Sequence, residues 1–338
     1  MQHVTIKDIA RLSGVSVATV SRALNDASEI SEDTRDRVLR ICREQGYRTN
    51  LLARSLISSR TNVLGLILPD ISNPFHAALS LSIETCAREQ GYQVMLCSGR
   101  PGDGKIEGLF EFLIGQRVDG VLLSSASDQA RELLHRYQDT LPAVLLGACA
   151  PEASGIRINS VSTDNFVGGR MAAEYLYTLG HREVFYLGLR PGSATHTLRH
   201  LGFCTAAREL GLAVRTVENP TSASTISSGY QMARSVLEQP FSQTAVFAAS
   251  DAVALGMIQV ADELGIPIPE RLSVLGFDNI EYAALPNIRL STLSHNSPTM
   301  ARAAVHLLLE LIDSDSRGEY TTKFITPTLI RRATCRTI

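Results

Sequence analysis

The residues from Thr5 to Ser31 have the types and spacing of a device that reads base edges. Thr5 and Asp8 form the pattern of a capping box opening a helix over Ile6 to Leu12. Gly14-Val15 then supplies a tight turn before Ser16 caps a second helix, Val17 to Leu24. Helix, glycine turn, helix is the spacing that lets the second helix enter a major groove with its first turn while the first helix braces it. Val17 and Ala18 are small and apolar, suited to a thymine methyl or a close base edge, and Arg22, one turn on, reaches guanine O6 and N7. Thr5, Ser16, Thr19, Ser21, Asn25 and Ser31 surround them with hydroxyl and amide groups that match phosphate oxygens. Such residues also serve as plain caps, so periodicity alone leaves a generic three-helix module open.

Other chemistries lack a necessary part. Gly99 to Ile106 nearly spells a phosphate-binding loop, but isoleucine follows Lys105 where a magnesium-binding hydroxyl is required. His196 and His200 stand four apart, yet Thr197 occupies the place of the glutamate in a zinc-hydrolase helix. No G-x-S-x-G elbow provides a nucleophile. The expectation is a protein that is not an enzyme and holds no metal and no cofactor.

The charge distribution agrees with a nucleic-acid partner at one end only. Net charge is -2 for 338 residues, but the first sixty carry ten Arg and Lys against seven Asp and Glu, which makes the remainder acidic. Cys42, Cys86, Cys97, Cys149, Cys204 and Cys335 are scattered, as buried thiols in a reducing compartment are. The opening MQHVTIKDIARLSG has no apolar core of a signal peptide, and no run reaches membrane-span length. A cytoplasmic location with no membrane partner is therefore expected.

These sites need elements to hold them. After the polar turn Asn25 to Ile30, Ser31 caps a third helix ending near Gln45 and Gly46, and Ile9, Ala10, Val15, Val20, Leu24, Val38 and Ile41 close a small core. A short helical segment, Asn50 to Arg60, leads to a boundary near 59–62. Beyond it, strand-like runs (Val63 to Leu68, Gln93 to Cys97, Gly120 to Leu123, Ala143 to Leu146, Val184 to Leu187, Ala245 to Ala248 and Leu272 to Phe277) alternate with amphipathic helices. This is a parallel α/β body. Asn73-Pro74 opens one helix, and Gly91, Gly180, Gly211 and Gly265 each close another. About ten β-α units are too many for one small sheet, so two sets are expected, breaking near Val161 to Asp164.

The stretch VTIKDIARLSGVSVATVSRALN, continued by ISEDTRDRVLRICREQGYRTN and NLLARSLISS, is similar almost letter for letter to the headpiece and hinge of the LacI/GalR family of bacterial repressors. The likeness extends over essentially the whole chain. It implies a helix-turn-helix headpiece (1–46), a hinge helix and linker (47–62), and a two-lobed periplasmic-binding-protein-like body (63–338). The first lobe would take 63–161 and 294–318, and the second 162–290 and 319–333. The Val17-Ala18 pair looks like the galactose-type members. By the same resemblance, the hinge folds on the operator and wedges Leu56 into the minor groove beside Ala53. The partners implied are double-stranded operator DNA, a second copy of the chain, and a small-molecule effector, a carbohydrate or related metabolite.

In two-lobed α/β sheets a ligand lies beyond the carboxyl ends of the strands. The polar residues there are Ser124, Asp164, Ser250, Asp251 and Asp278. Arg199 in LRHLGF resembles the family's arginine-x-x-glycine-aromatic signature and implies a clamp on the effector, with Asp278 accepting from it. Phe75 resembles the family's aromatic lid. Ser250 departs from the usual asparagine, the late sugar-stacking aromatic is missing near Ser297, and the chain has no Trp. Arg190, His196, Arg199 and His200 gather at one loop and helix start, which suggests an acidic or phosphorylated effector.

Overall fold

A computed structural model of the chain describes residues 4–24, 30–47, 60–99, 105–125, 128–148, 156–221, 224–313 and 320–338. The chain divides into two compact units, Met1–Thr61 and Asn62–Ile338.

The first unit holds α1 (Ile6–Ser13), α2 (Val17–Leu24) and α3 (Glu32–Glu44). The expected capping box is present. Thr5 Oγ1 accepts from the Asp8 N–H, and Asp8 Oδ2 accepts from the Thr5 N–H at 3.0 Å. Gly14 ends α1 at φ 68, a left-handed conformation that a side chain disfavours. Ser16 and Ser31 cap the other two helices through Thr19 and Thr34. Ile9, Ala10, Val20, Ala23, Val38 and Cys42 are buried against one another, with Val15, Leu24 and Ile41 half-buried at the edge. Asn25 and the hinge residues Ala53 and Leu56 lie outside the described residues.

The second unit is built on two six-stranded sheets. In the first, the order is β11 (Thr322–Ile325), β5 (Ser160–Thr163), β4 (Ala143–Leu146), β3 (Gly120–Ser124), β1 (Val63–Leu68) and β2 (Gln93–Ser98), all parallel. In the second, the order is β12 (Thr328–Ile330), β10 (Ser291–Ser294), β9 (Ser273–Asp278), β8 (Ala245–Ala248), β6 (Glu183–Leu189) and β7 (Ala213–Glu218). Only β12 runs antiparallel to its neighbour. Central strands such as β3, β8 and β9 are buried along their length, as helices on both faces require.

Those helices are α4 (Pro74–Glu89), α5 (Lys105–Gly115), α6 (Asp128–Tyr137), α7 (Asn165–Thr178), α8 (Ala194–Leu210), α9 (Ile226–Leu237), α10 (Asp251–Glu263) and α11 (Ser297–Asp313). Asn73 caps α4 with Pro74 in its first turn, as the sequence signals. Gly211 closes α8, and Gly91, Gly180 and Gly265 sit at positive φ just past their helices.

The lobe limits drawn from sequence need correction. β5 and β11 belong to the first sheet, whereas 162–163 and 319–325 were expected in the second lobe. Residues 291–293 lie in β10 of the second sheet, outside both expected limits, and Ser294, expected in the first lobe, ends that strand. The chain crosses between lobes after Thr163, after Ser294 and after Ile325. The error arose because these strands are four residues each, β5 and β10 rich in Ser and Thr and β11 a mixed Thr-Lys-Phe-Ile, so they carry little apolar signal.

Candidate functional site

On α2, Val17, Ala18, Ser21 and Arg22 fall on one side of the helix and Val20, Ala23 and Leu24 on the other. The second set packs into the small core, so the first faces outward. Val17 is 41% exposed, an apolar side chain left at the start of the surface face, and Ala18 and Arg22 are exposed beside it. Thr5, Ser16 and Ser31 are each exposed N-caps, so three helix N-termini carry unpaired N–H groups on this unit's surface. Thr19 and Ser21 are half-buried. Of the sequence candidates here, Asn25, Ala53 and Leu56 are the ones outside the described residues.

In the second unit, a cavity of about 1020 Å³ opens between the lobes. It is walled by the carboxyl ends of strands from both sheets, including Ser124 at the end of β3, Thr163 on β5, Arg190 after β6, Ser250 after β8, Asp278 on β9 and His295 after β10. Phe75 in the first turn of α4 adds an aromatic wall.

Arg199 is fully buried, 2% exposed, on the face of α8 turned to the cavity. One Nη donates to the Ala249 carbonyl and the other to Asn165 Oδ1 at 2.7 Å, while the guanidinium lies 3.4 Å over the Phe277 ring. These contacts fix its plane, and burial lowers its pKa. Its approach to the wall depends on α7 and α8 touching backbone to backbone. A Cβ on Gly169 would overlap the Arg199 carbonyl, and one on Gly202 would overlap the Phe166 carbonyl.

Asp278 ends β9 at φ 123 and Asn279 follows at φ 57, backbone that L-residues rarely adopt. Two interactions behind the cavity hold this turn. Asp251 Oδ2 accepts from the Ile280 N–H at 2.9 Å, and Arg332 donates to Asn279 Oδ1 at 2.7 Å. On the cavity side, His295 Nε2 lies 3.0 Å from Asp278 Oδ1, and the ring packs 4.4 Å from Phe75 and 4.8 Å from Phe277.

Phe75, Ser124, Arg199, Ser250 and Asp278 therefore come together around one cavity, the first two from one lobe and the rest from the other. Asp164 and Asp251 do not line it. Asp164 turns back to accept from the Val167 N–H as the cap of α7. Asp251 is fully buried, bonded to Thr292 and Ile280, where burial first and then Asp278 push its carboxyl well above the ordinary range. From the basic cluster, His200 also departs; it sits beside Thr216 and Cys204. Sequence reasoning missed His76 and His295. His295 follows β10, a strand too polar to be recognised, and that strand was the one signal that pointed to it.

Among the described residues no cluster of three His, Cys, Asp or Glu can hold a metal ion, and no helix is long and apolar enough to cross a membrane.

A family profile described as bacterial regulatory proteins, lacI family, matches residues 5–50, and one for a periplasmic binding protein-like domain matches 173–335. The HTH-type transcriptional repressor PurR of Pectobacterium atrosepticum is 32% identical over 333 residues, covering 97% of this chain and 96% of that protein. The chain belongs to the LacI family. The PurR repressor of Haemophilus influenzae is 30% identical over 338 residues, covering 99% of each chain. The lac repressor dimer bound to operator and the anti-inducer ONPF superposes with a TM-score of 0.86 at 25% identity, covering 99% of this chain and 100% of that one. A CelR-cellobiose complex matches at 0.70 and 28% identity over 98% of this chain and 99% of that one. This LacI-family member is a transcriptional repressor with a DNA-binding headpiece and an effector-binding body, and it is not an enzyme.

Proposed function

We propose that two copies of this chain grip a pseudo-palindromic operator, each with Val17, Ala18 and Arg22 on base edges and Thr5, Ser16, Thr19, Ser21, Asn25 and Ser31 on phosphates, under control of a small polar effector held between the lobes. The cytoplasm is the location this role requires. Ala53 and Leu56 are assigned to the minor groove on the family resemblance.

One observation carries the effector reading: Arg199, Asp278, Ser124, Ser250 and Phe75 arrive from both lobes at one cavity. An effector touching both walls favours the closed body over the open one, and its differential affinity is the free energy available to change operator binding. The wall is rich in hydroxyl and charged groups and has Phe75 and Tyr282 as its aromatic side chains, which suits a sugar derivative with polar substituents.

The test is operator selection from random duplexes by the purified full chain, followed by titration with metabolite extracts. Arg22→Ala is expected to lose operator discrimination by about 1–3 kcal/mol while effector binding persists. Arg199→Ala is expected to bind operator normally and to ignore the effector. Full chain that prefers no duplex at low ionic strength overturns the reading.

A further inference from the structure

We infer that the first turn of α8, together with Arg190 and Ser193, is an oxyanion subsite that takes the phosphate group of the effector. The inference rests on the reading of the cavity as an effector site and adds the chemical class of the ligand.

Helix α8 opens directly onto the cavity, with Gly192, Ser193, Thr195 and His196 all in its wall. Its N-cap, Ser193, makes no capping hydrogen bond, unlike Asp164, Thr225 and Ser250 on α7, α9 and α10. Ser193 is only 4% exposed, and its Oγ has no hydrogen-bond partner among the described residues. A buried, unsatisfied hydroxyl costs about 1–3 kcal/mol, so a partner supplied by a ligand is what this position needs. The N–H groups of Ala194, Thr195 and His196 lie in the same turn, where an α-helix has no acceptors of its own.

Charge points the same way. The Arg190 side chain lines the cavity without an ion pair or hydrogen bond among the described residues, and burial lowers its pKa. His196 is buried beside it as a neutral ring: its Nδ1 donates to the Gly188 carbonyl at 3.2 Å, so Nε2, 3.5 Å from the Ser224 hydroxyl, is an acceptor, and the ring walls the subsite without donating to it. Burial, then Arg199, then Arg190 hold its pKa well below the ordinary value. Neither Asp278 nor Asp70, the carboxylates in the lining, pairs with Arg190. Asp278 bonds to His295, and Asp70 Oδ1 accepts from the N–H and hydroxyl of Ser72. A phosphate at α8 gives the unpaired guanidinium a counter-charge and accepts from Ser193 and the open N–H groups together, which a neutral hydroxyl cannot do.

Inorganic phosphate is the probe. Thermal unfolding of the full chain and the 31P linewidth of added phosphate are measured for the wild type, Arg190→Gln and Ser193→Ala, against chloride and acetate at equal ionic strength. Phosphate is expected to raise the wild-type midpoint above chloride and acetate, and each variant to bind phosphate about tenfold more weakly or worse. If Arg190→Gln does not fold, Ser193→Ala, which deletes one oxygen, carries the comparison. A shift of the same size in all three proteins places the ion elsewhere and overturns the inference, as does acetate matching phosphate or no phosphate response in the wild type. Operator selection by the same preparations separates these results from failure of the repressor reading: chain that selects an operator yet ignores phosphate refutes only the subsite.

Discussion

His295 fixes Asp278 through a single hydrogen bond, Nε2 to Oδ1 at 3.0 Å. A carboxylate only accepts, so Nε2 carries the proton, and the neutral ring's Nδ1 accepts from the Thr163 hydroxyl at 2.6 Å. Thr163 and His295 each lie where the chain passes from one lobe to the other, so the residue that aims Asp278 also ties two crossovers together.

Replacing His295 by Ala removes a ring packed between Phe75 and Phe277 and leaves Asp278 without its donor. The expected loss of stability is about 2–4 kcal/mol, read from urea midpoints. Response to effector is expected to disappear with operator binding retained. A variant as stable as the wild type and fully responsive contradicts the assignment.

Acid is expected to destabilise the body. His76, His181, His196, His200 and His295 all have pKa values lowered from 6.5, each with burial as the first cause. The unfolded chain then binds more protons than the folded one just below 6.5, so their contribution is complete above that pH and is lost as pH falls toward the folded values. His196, with the largest shift, contributes up to about 1.4 kcal/mol per pH unit in that window. Unfolding midpoints measured from pH 7 to 5 are expected to fall, and less so for His196→Gln. A flat profile in the wild type sinks the prediction.

The contact between α7 and α8 is expected to tolerate no side chain. Gly169→Ala pushes a methyl into the backbone of Arg199, and Gly202→Ala into that of Phe166. Each is expected to cost about 1–3 kcal/mol or more, because backbone, unlike a side chain, does not step aside. A helix shift large enough to relieve the clash also withdraws Arg199 from the wall. The matching observation is weakened effector response in whatever fraction remains folded; full stability in either variant is the contrary result.

Sequence displayed some of this well and some not at all. The three helices of the first unit were legible because their caps are local, each set by residues three positions apart, such as Thr5 with Asp8. Strands β1, β3, β4, β8 and β9 were legible because burial on both faces writes an apolar run. β5, β10 and β11 were not, since edge and crossover strands of four residues are specified by their neighbours. Asp164 and Asp251 misled for a related reason: an acid after a strand marks a strand end, and only the fold shows whether it turns to the ligand or back to cap and pin the backbone. His295 was invisible because its partners are 17 and 132 residues away.

Asp251 supplies a sharper test of that last distinction. Its two oxygens serve the Ile280 N–H and the Thr292 hydroxyl, and its carboxyl is held well above 3.8 by burial and by Asp278. A raised folded pKa means that the native state binds the extra proton, so this group's contribution declines as pH rises from 3.8 through the folded value. Asn has the same shape, can accept from Ile280 and donate to Thr292, and carries no charge to bury. Asp251→Asn is therefore expected to cost under about 1 kcal/mol near neutral pH and to flatten that part of the stability profile. Asp251→Leu strands both partners and is expected to cost roughly 2–5 kcal/mol, with loss of the Asp278 turn and of effector response. Equal stabilities for the two variants in urea titrations would show that Asp251 does not pin the turn.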